Sequence, residues 1–140
     1  MLSEESKSNA GGAGGESRFR HVTRFRVRYG ETDQMGTFYN AHALAWFEVG
    51  RTELFRHLGV PYTVMEERGV FLPVVEAHVK YLGRARYDDL LELTTALSVE
   101  GRARLRADER ITNVGTGREV VLGHTIHVFT DRTGKPIRPP

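Results

Sequence analysis

The carboxylate of Asp33 stands in a turn-rich stretch just ahead of what the sequence predicts to be its longest helix. Asp33 precedes Met35 and Gly36 in the run YGETDQMG, and helix-periodic residues begin a few positions later. The start of a helix carries backbone N–H groups that have no partner inside the helix and that attract negative charge. A carboxylate beside such donors could attack a polarised carbonyl group or activate water against it. Asp in a glycine-containing loop is also common as a helix cap or turn former, so both interpretations stay open on these residues alone.

The helix that must position this carboxylate is predicted by side chains at intervals of three and four residues. Gly59 and Pro61 are predicted to end it, as a glycine just past a helix followed by a proline commonly does. Glu48 on the same helix is a second candidate carboxylate, whose alternative is a polar helix residue or a contact between subunits. The predicted buried stripe comprises Leu44, Phe47, Arg51, Leu54, Phe55 and Leu58.

The rest of the pattern predicts strands. Residues 18–29 alternate loosely, with Phe25, Val27 and Tyr29 opposite arginines, which is typical of a half-buried strand. A short second helix or turn is expected at PYTVMEERG. Four further strands are predicted over residues 70–82, 90–99, 102–112 and 119–130, separated by short turns. One long helix against one antiparallel sheet predicts an α+β domain over residues 18–140, and residues 1–17 are predicted to be a disordered tail.

Composition narrows the classes of function. The chain has 140 residues, enough for one domain with its own core, and no cysteine, which removes disulfides and thiolate chemistry. A net charge of +2 does not by itself indicate nucleic-acid binding. No apolar run has the length of a membrane span, so a cytoplasmic protein is expected. Because His124 and His127 lie three apart on a predicted strand, they should point to opposite faces, and no metal site is expected.

Arginines alternate along the fourth predicted strand. Arg102, Arg104 and Arg106 would form a basic stripe on one face of it. The stripe is explained as a solvated outer face balanced by Asp108 and Glu109. Arginine is also well suited to binding phosphate groups, so a second interpretation is a site for a phosphorylated ligand.

Two blocks of the sequence resemble a known family. The run YGETDQMGTFYNAHALAWFEVGR, beginning at Tyr29, is similar to the signature of the 4-hydroxybenzoyl-CoA thioesterase-like branch of the hotdog-fold acyl-CoA thioesterases. That signature has an aromatic residue ending a strand, Asp-x-x-Gly, an aromatic pair, and a helix bearing Trp or Phe and an acid. The second block, KYLGRARYDDLL from Lys80 to Leu91, resembles the family's next segment. The similarity covers roughly residues 20–130.

The resemblance implies a five-stranded antiparallel sheet wrapped around one long helix, assembled as a homodimer or as a homotetramer of two such dimers. It implies hydrolysis of acyl-CoA, with coenzyme A as part of the substrate and no separate cofactor, nucleic acid or membrane span. Asp33 matches the catalytic nucleophile or general base, and the backbone N–H of Asn40 matches the group that polarises the thioester. Arg102 and Arg104 match residues near the phosphates of coenzyme A. Further substrate-binding positions implied are Gly36, Tyr39, Ala41 and His42.

The sequence departs from the family pattern at the helix start, where members often carry His or Pro-Asn and this chain has Asn40, Ala41 and His42. Two rival functions belong to related architectures. A hotdog hydratase or dehydratase generally pairs His with Asp or Glu, and the Asp-x-Asn-Pro-x-His pattern of one such group is missing. A non-catalytic module that binds acyl-CoA or an acyl carrier is the other rival, and an intact Asp33 argues against it.

Overall fold

Five antiparallel strands form one sheet in the computed structural model, which describes residues 19–139; the tail expected over residues 1–17 lies outside this range. The spatial order of the strands is β1-β3-β4-β5-β2, so β1 and β2 are the two edges. This arrangement confirms the predicted α+β class. The elements in chain order are β1 (Phe19–Arg26), a short 3₁₀ turn (Tyr29–Glu31), α1 (His42–His57), α2 (Tyr62–Glu67), β2 (Val74–Tyr81), β3 (Leu90–Glu100), β4 (Arg104–Asn113) and β5 (Glu119–Val128).

Helix α1 lies across one face of the sheet, mainly over β1 and β3. The predicted stripe is partly wrong, because Leu44 and Leu58 are 43% and 37% exposed. The buried face is rotated toward the small residues Ala43 and Gly50, which carry little apolar side chain and so did not stand out in the pattern. Its members are Ala43, Trp46, Phe47, Gly50, Arg51, Leu54 and Phe55.

Glycine sets both the spacing and the end of this helix. A Cβ on Gly50 would overlap the Thr95 hydroxyl and lie 2.9 Å from Leu93, so the helix approaches the sheet as closely as its backbone allows. Gly59 has a φ of 82°. Its N–H donates to the carbonyl of Arg56 at 3.0 Å, and the next N–H, of Val60, donates to Phe55 at 3.0 Å. This pair of bonds is a Schellman motif, which confirms the predicted stop.

Several strand boundaries differ from the prediction. Strand β2 starts at Val74 rather than residue 70, directly after Pro73, which has no N–H to donate to the sheet. Strand β4 starts at Arg104, because residues 101–103 form a turn in which Gly101 has a φ of 66°. Arg102 therefore lies outside the strand. Tyr29 lies in the 3₁₀ turn and is 77% exposed, so it does not continue the apolar face of β1.

The core between helix and sheet has two parts. The part near the start of α1 surrounds Trp46 and Phe47, and the part near its end surrounds Leu54 and Phe55. The predicted short helix after α1 is confirmed as α2, and it packs over the second part through Tyr62 and Met65. Within residues 19–139, no helix is long and apolar enough to cross a membrane.

Candidate active site

The chain between the 3₁₀ turn and α1 folds back on itself as a small hairpin, which we call the Asp33 loop (residues 32–38). Thr32 forms an isolated β-bridge with Phe38. Inside it, the Asp33 N–H donates to the carbonyl of Thr37 at 2.9 Å, and the Gly36 N–H donates to the carbonyl of Asp33 at 3.0 Å. Gly36 has a φ of 82°, a conformation that favours glycine. The loop therefore has a defined turn at its tip, with Asp33 at the first position.

The Asp33 carboxylate uses one of its two oxygens in this turn. Oδ1 accepts the Met35 N–H at 2.8 Å. Oδ2 makes no hydrogen bond to any group in residues 19–139, and the side chain is exposed. Asp33 is not a cap of α1, since the helix starts at His42 and its N-cap is Ala41. The turn-forming interpretation is thus correct, and it leaves one carboxylate oxygen available.

The start of α1 is held from both sides. The Tyr39 N–H donates to the carbonyl of Glu31 at 2.8 Å, which ties the start of the helix to the base of the Asp33 loop. The Tyr81 hydroxyl donates to the carbonyl of Asn40 at 2.7 Å. In the described part of the chain the N–H groups of Asn40 and Ala41 donate no hydrogen bond. These two donors are fixed in place and free to bind an added acceptor.

The remaining predicted positions at this end surround the same hairpin. Gly36 lies at the tip of the Asp33 loop, and Tyr39, which is 56% exposed, follows its base. The His42 ring lies edge-on to Tyr39, with 6.2 Å between ring centroids. No hydrogen bond in the described residues joins the Asp33 side chain to Asn40, Ala41 or His42. The structure therefore brings these residues onto one hairpin without linking their side chains to the carboxylate.

A buried carboxylate that the sequence reasoning missed lies two residues before Asp33. Glu31 is 6% exposed. Its Oε1 accepts the Arg28 N–H at 2.8 Å, and its Oε2 accepts the Trp46 indole N–H at 2.9 Å and the Arg28 guanidinium at 3.1 Å. Burial alone would raise the pKa of Glu31, but these hydrogen bonds outweigh it and hold the pKa below its usual value. The glutamate ahead of Asp33 and the tryptophan on the helix were the signal available in the sequence.

The second family-like block supports the Asp33 loop from its other side. The Phe38 N–H donates to the carbonyl of Ala85 at 2.8 Å, and the Ala85 N–H donates to the Thr37 hydroxyl at 3.2 Å. Asp89 accepts the Arg86 N–H at 2.8 Å and the Asn113 side chain at 3.1 Å. The Asp89 side chain therefore holds in place the segment that hydrogen-bonds to the Asp33 loop.

Arg102 and Arg104 lie at the other end of the sheet. Strand β3 runs from Leu90, paired with β1 beside the Asp33 loop, to Glu100, paired with Arg104. An eleven-residue strand is about 33 Å long at the usual rise per residue. Arg104 is 3.3 Å from Glu76 in an exposed ion pair. Within one chain the two arginines and Asp33 are therefore far apart.

The predicted charge balance of the arginine stripe is confirmed for Asp108 and wrong for Glu109. Arg106 lies 3.1 Å from Asp108 and 3.9 Å from Glu100. Glu109 was wrongly placed on this face. It points to the opposite face, under α1, as the next residue along a strand must. There its Oε1 accepts the Thr95 hydroxyl at 2.7 Å.

Glu109 belongs to a buried polar network between α1 and the sheet. Its Oε2 is 4.0 Å from Arg51 Nη1, too long for a hydrogen bond. Arg51 Nε and Glu109 Oε2 have no hydrogen-bond partner among the described residues. Burial raises the pKa of Glu109 well above its usual value, against the opposing effects of the Thr95 hydroxyl and the Arg51 charge. The periodicity placed Arg51 on the buried face but did not show what it meets there.

The network continues to a buried histidine. Arg51 donates to the Thr125 hydroxyl at 3.3 Å. That hydroxyl lies 2.8 Å from His127 Nε2, and the other ring nitrogen, Nδ1, lies 3.0 Å from the carbonyl of Leu72. Since a carbonyl only accepts, Nδ1 carries the proton and the Thr125 hydroxyl donates to Nε2. Burial lowers the pKa of His127. His124 lies on the other face, stacked on His78 with 5.5 Å between ring centroids, as the strand period predicted.

Comparison with known proteins gives a consistent family. The sequence matches the thioesterase-like superfamily over residues 27–140. The Bacillus subtilis protein YneP is 46% identical over 71 residues, which is 49% of this chain and 51% of that protein. The acyl-CoA thioester hydrolase YbgC of Escherichia coli is 34% identical over 88 residues, 63% of this chain and 66% of that protein.

Solved structures agree with the sequence comparison. A DHNA-CoA thioesterase from Staphylococcus aureus superimposes with a TM-score of 0.79 and 31% identity, covering 86% of this chain and 81% of that chain. A protein from Aquifex aeolicus superimposes with a TM-score of 0.80 at 26% identity, covering 86% of this chain and 93% of that one. In the sequence comparison, the matched segments span about half of YneP and 66% of YbgC.

Proposed function

Because this chain belongs to the thioesterase-like superfamily and has the hotdog fold, we propose that it is an acyl-CoA thioesterase. The reaction is hydrolysis of the thioester to a free carboxylic acid and coenzyme A. The observation that carries the proposal is the hairpin of the Asp33 loop, which presents a free carboxylate oxygen and, past its base, two unpaired N–H groups at the start of a helix.

The chemistry follows from these groups. The N–H groups of Asn40 and Ala41 would donate hydrogen bonds to the thioester oxygen and stabilise its developing negative charge, helped by the positive end of the α1 dipole. Asp33 Oδ2 would either remove a proton from the attacking water or attack the carbonyl carbon itself. In the first route the C–S bond breaks as the tetrahedral intermediate collapses, and the departing thiolate of coenzyme A takes up the proton. In the second route the attack of Asp33 forms a mixed anhydride as the C–S bond breaks and the thiolate of coenzyme A departs. Water then hydrolyses the anhydride, which releases the carboxylic acid and the Asp33 carboxylate, and the proton set free goes to the thiolate.

The edge strand β2 supports assembly as a homo-oligomer. Seven of its eight residues are exposed. Val74, Val75 and Tyr81 are 48%, 49% and 43% exposed, and the strand leaves one edge of the sheet unpaired. Exposed apolar edge strands are normally covered. We propose that a second copy pairs with β2 about a two-fold axis, giving a homodimer or a dimer of dimers.

Such a dimer would bring the arginine end of one subunit close to the Asp33 loop of the other. Antiparallel pairing of two β2 strands sets the Val74 end of one against the Tyr81 end of the other. Tyr81 lies beside the Asp33 loop, whereas the Val74 end of the sheet carries Arg104. The partner's Arg102 and Arg104 would then approach Asp33 from across the interface, where they could bind the phosphates of coenzyme A. This arrangement would draw each active site from both subunits.

The decisive experiment substitutes Asp33. Asp33→Asn keeps the oxygen that accepts the Met35 N–H and removes the charge and the basicity. If Asp33 is the catalytic group, kcat for acyl-CoA hydrolysis should fall by roughly 10²-fold or more, while binding of unreacted acyl-CoA and the Tm change little. Release of free thiol across short, long and aromatic acyl-CoAs is the measurement.

Glu48→Gln tests the rival carboxylate on α1: if Asp33 is the catalytic group, the loss of the exposed Glu48 carboxylate should leave kcat near wild type. Near-wild-type turnover in Asp33→Asn would remove Asp33 from the mechanism and make Glu48 the candidate. A wild-type protein that releases no thiol but changes the spectrum of an enoyl-CoA would instead be a hydratase. Binding without either reaction would indicate an acyl-CoA or acyl-carrier binding module.

A further inference from the structure

We propose that Glu31 is a positioning residue, which acts with the Trp46 indole as a clamp that holds the Asp33 loop against α1 in its reactive arrangement. The inference rests on the proposed function of Asp33. Its structural part, that the clamp orders the loop, is independent of that function. The clamp consists of one carboxylate at the base of the loop and one indole N–H on the first turns of the helix, 2.9 Å apart.

Burial makes this contact strong. Glu31 is 6% and Trp46 3% exposed, so neither can exchange its partner for water when the contact breaks. An ionised acceptor strengthens each of the hydrogen bonds it accepts, and all three reach Glu31 from neighbouring donors. A buried donor or acceptor left without its partner is costly. The loop therefore has one preferred position relative to the helix.

Aromatic packing fixes the indole end of the clamp. Trp46 lies 5.2 Å from Phe25 of β1 and 4.9 Å from Phe38 at the end of the Asp33 loop, measured between ring centroids. Phe38 in turn lies 6.2 Å from Tyr81, which holds the Asn40 carbonyl. The indole therefore contacts the sheet and the loop, and through Phe38 it is linked to the helix start that carries the proposed oxyanion donors.

The backbone of Glu31 transmits the position of the side chain to the reacting groups. Its carbonyl accepts the Tyr39 N–H at 2.8 Å, one residue before Asn40. Asp33 lies two residues beyond Glu31, in the Asp33 loop, where its N–H donates to the carbonyl of Thr37. A shift of Glu31 would move the carboxylate and the free N–H groups together. Since catalysis depends on sub-ångström placement of such groups, misplacement can cost roughly 10²-fold in rate.

The test uses Glu31→Gln and Trp46→Phe in the full chain. Glutamine keeps the shape but cannot accept from both sets of donors, and phenylalanine keeps the ring packing but donates no hydrogen bond. Each variant should lower kcat for acyl-CoA by about tenfold or more and change KM less than about twofold. Because both substitutions remove the same contact, between Glu31 and Trp46, the double variant should be no slower than the slower single variant. Arg56→Gln is the control: this arginine of α1 is 57% exposed and pairs with Glu53, and the rate of the variant should stay within about twofold of wild type.

Hydrogen exchange of residues 32–39, measured well below the Tm, gives a readout that does not need turnover. Both single variants should exchange faster there than wild type, while β3 and β4 keep their protection. Unchanged kcat in both variants beside a lost kcat in Asp33→Asn would overturn the clamp and leave the proposed function standing. Additive losses in the double variant would also overturn it. If the wild type hydrolyses no acyl-CoA, the proposed function fails, and unchanged exchange in Glu31→Gln would overturn the clamp as well.

Discussion

The carboxylate of Asp33 has two oxygens in different circumstances, since Oδ1 accepts the Met35 N–H and Oδ2 faces no donor in residues 19–139. If Asp33 is the catalytic group, the contact that forms the turn also orients the reacting side chain. The hydrogen bond to Met35 restricts the Asp33 rotamer without any added ligand. This pre-organisation reduces the entropy cost of reaching the reactive geometry.

The two arginines at the distant end of the sheet provide a second test at the residue scale. If Arg102 and Arg104 of the partner bind the phosphates of coenzyme A, replacing both with alanine should raise KM for acyl-CoA by roughly tenfold, equivalent to one charge-assisted contact. The change in kcat should be much smaller. Steady-state kinetics at several salt concentrations measure this, since the wild-type KM should rise with salt.

A truncated substrate separates phosphate binding from a general effect on the fold. With an acyl-pantetheine, which lacks the nucleotide, the double variant should match the wild type. Arg56→Ala removes an exposed arginine of α1 that pairs with Glu53, and serves as the control for the loss of an arginine elsewhere on the surface. Equal KM values for variant and wild type on full acyl-CoA would leave the two arginines as solvated surface residues, with Arg104 balanced by Glu76.

Individual residues were predictable from the sequence where local chemistry decides their role. Asp33 and Gly36 stand out because a turn needs their side-chain oxygen and positive φ. The buried contacts of Glu31, Arg51 and Glu109 did not stand out, because they join residues 14 or more positions apart: Glu31 meets Trp46, Glu109 meets Thr95, and Arg51 meets Thr125, 74 residues on. A single sequence does not report such pairings.

At the scale of the element, the position of α1 is set by its smallest residues. Gly50 and Ala43 allow the helix backbone to approach the sheet, and the larger side chains Trp46 and Phe47 fill the space beside them. On propensity alone an alanine at position 50 would favour the helix by about 1 kcal/mol. The close approach of the sheet at position 50 reverses this preference, so that glycine is favoured there.

Gly50→Ala should therefore destabilise the protein by about 1–3 kcal/mol, as overpacking does, because the new methyl group would overlap the Thr95 hydroxyl and crowd Leu93 at 2.9 Å. Denaturant unfolding followed by circular dichroism measures the change. Gly30→Ala is the matched control, since no atom lies within 4 Å of the added methyl group and its free energy of unfolding should hardly change. Higher stability in Gly50→Ala would mean that propensity outweighs the close approach.

The kind and order of the elements were predictable, whereas the orientation of the helix was not. Helix and strand periods are properties of a short stretch, and the stop at Gly59 needs only local backbone geometry. The face that α1 buries depends on how closely the sheet comes, which Gly50 decides. Periodicity of apolar residues therefore chose Leu44 and Leu58, and the structure buries Ala43 and Gly50 instead.

For the whole molecule, the exposed edge strand β2 predicts that the isolated chain is not the working unit. Sedimentation at micromolar concentration should give a dimer or tetramer, and activity should fall on dilution below the dissociation constant. Val75→Lys adds a charge to the exposed edge strand, where the proposed antiparallel pairing sets it near Lys80 of the partner subunit, and should weaken assembly and activity together. Thr116→Lys, in the exposed β4–β5 turn, adds the same charge elsewhere and should change neither. A stable monomer with full activity would contradict the shared-site arrangement.

The strand order also determines when each part of the sheet can form during synthesis. The ion pair between Arg24 of β1 and Glu92 of β3 joins residues 68 positions apart, so β1 leaves the ribosome long before its partner. At about 5–20 residues per second, the first strand waits on the order of several seconds without a neighbour. Strands β3, β4 and β5 follow one another through short turns and can pair as they emerge. Helix α1 and the Asp33 loop are therefore synthesised before strands β2 to β5. Closure of β1 onto β3 is a late, non-local step, and we expect it to limit the folding rate.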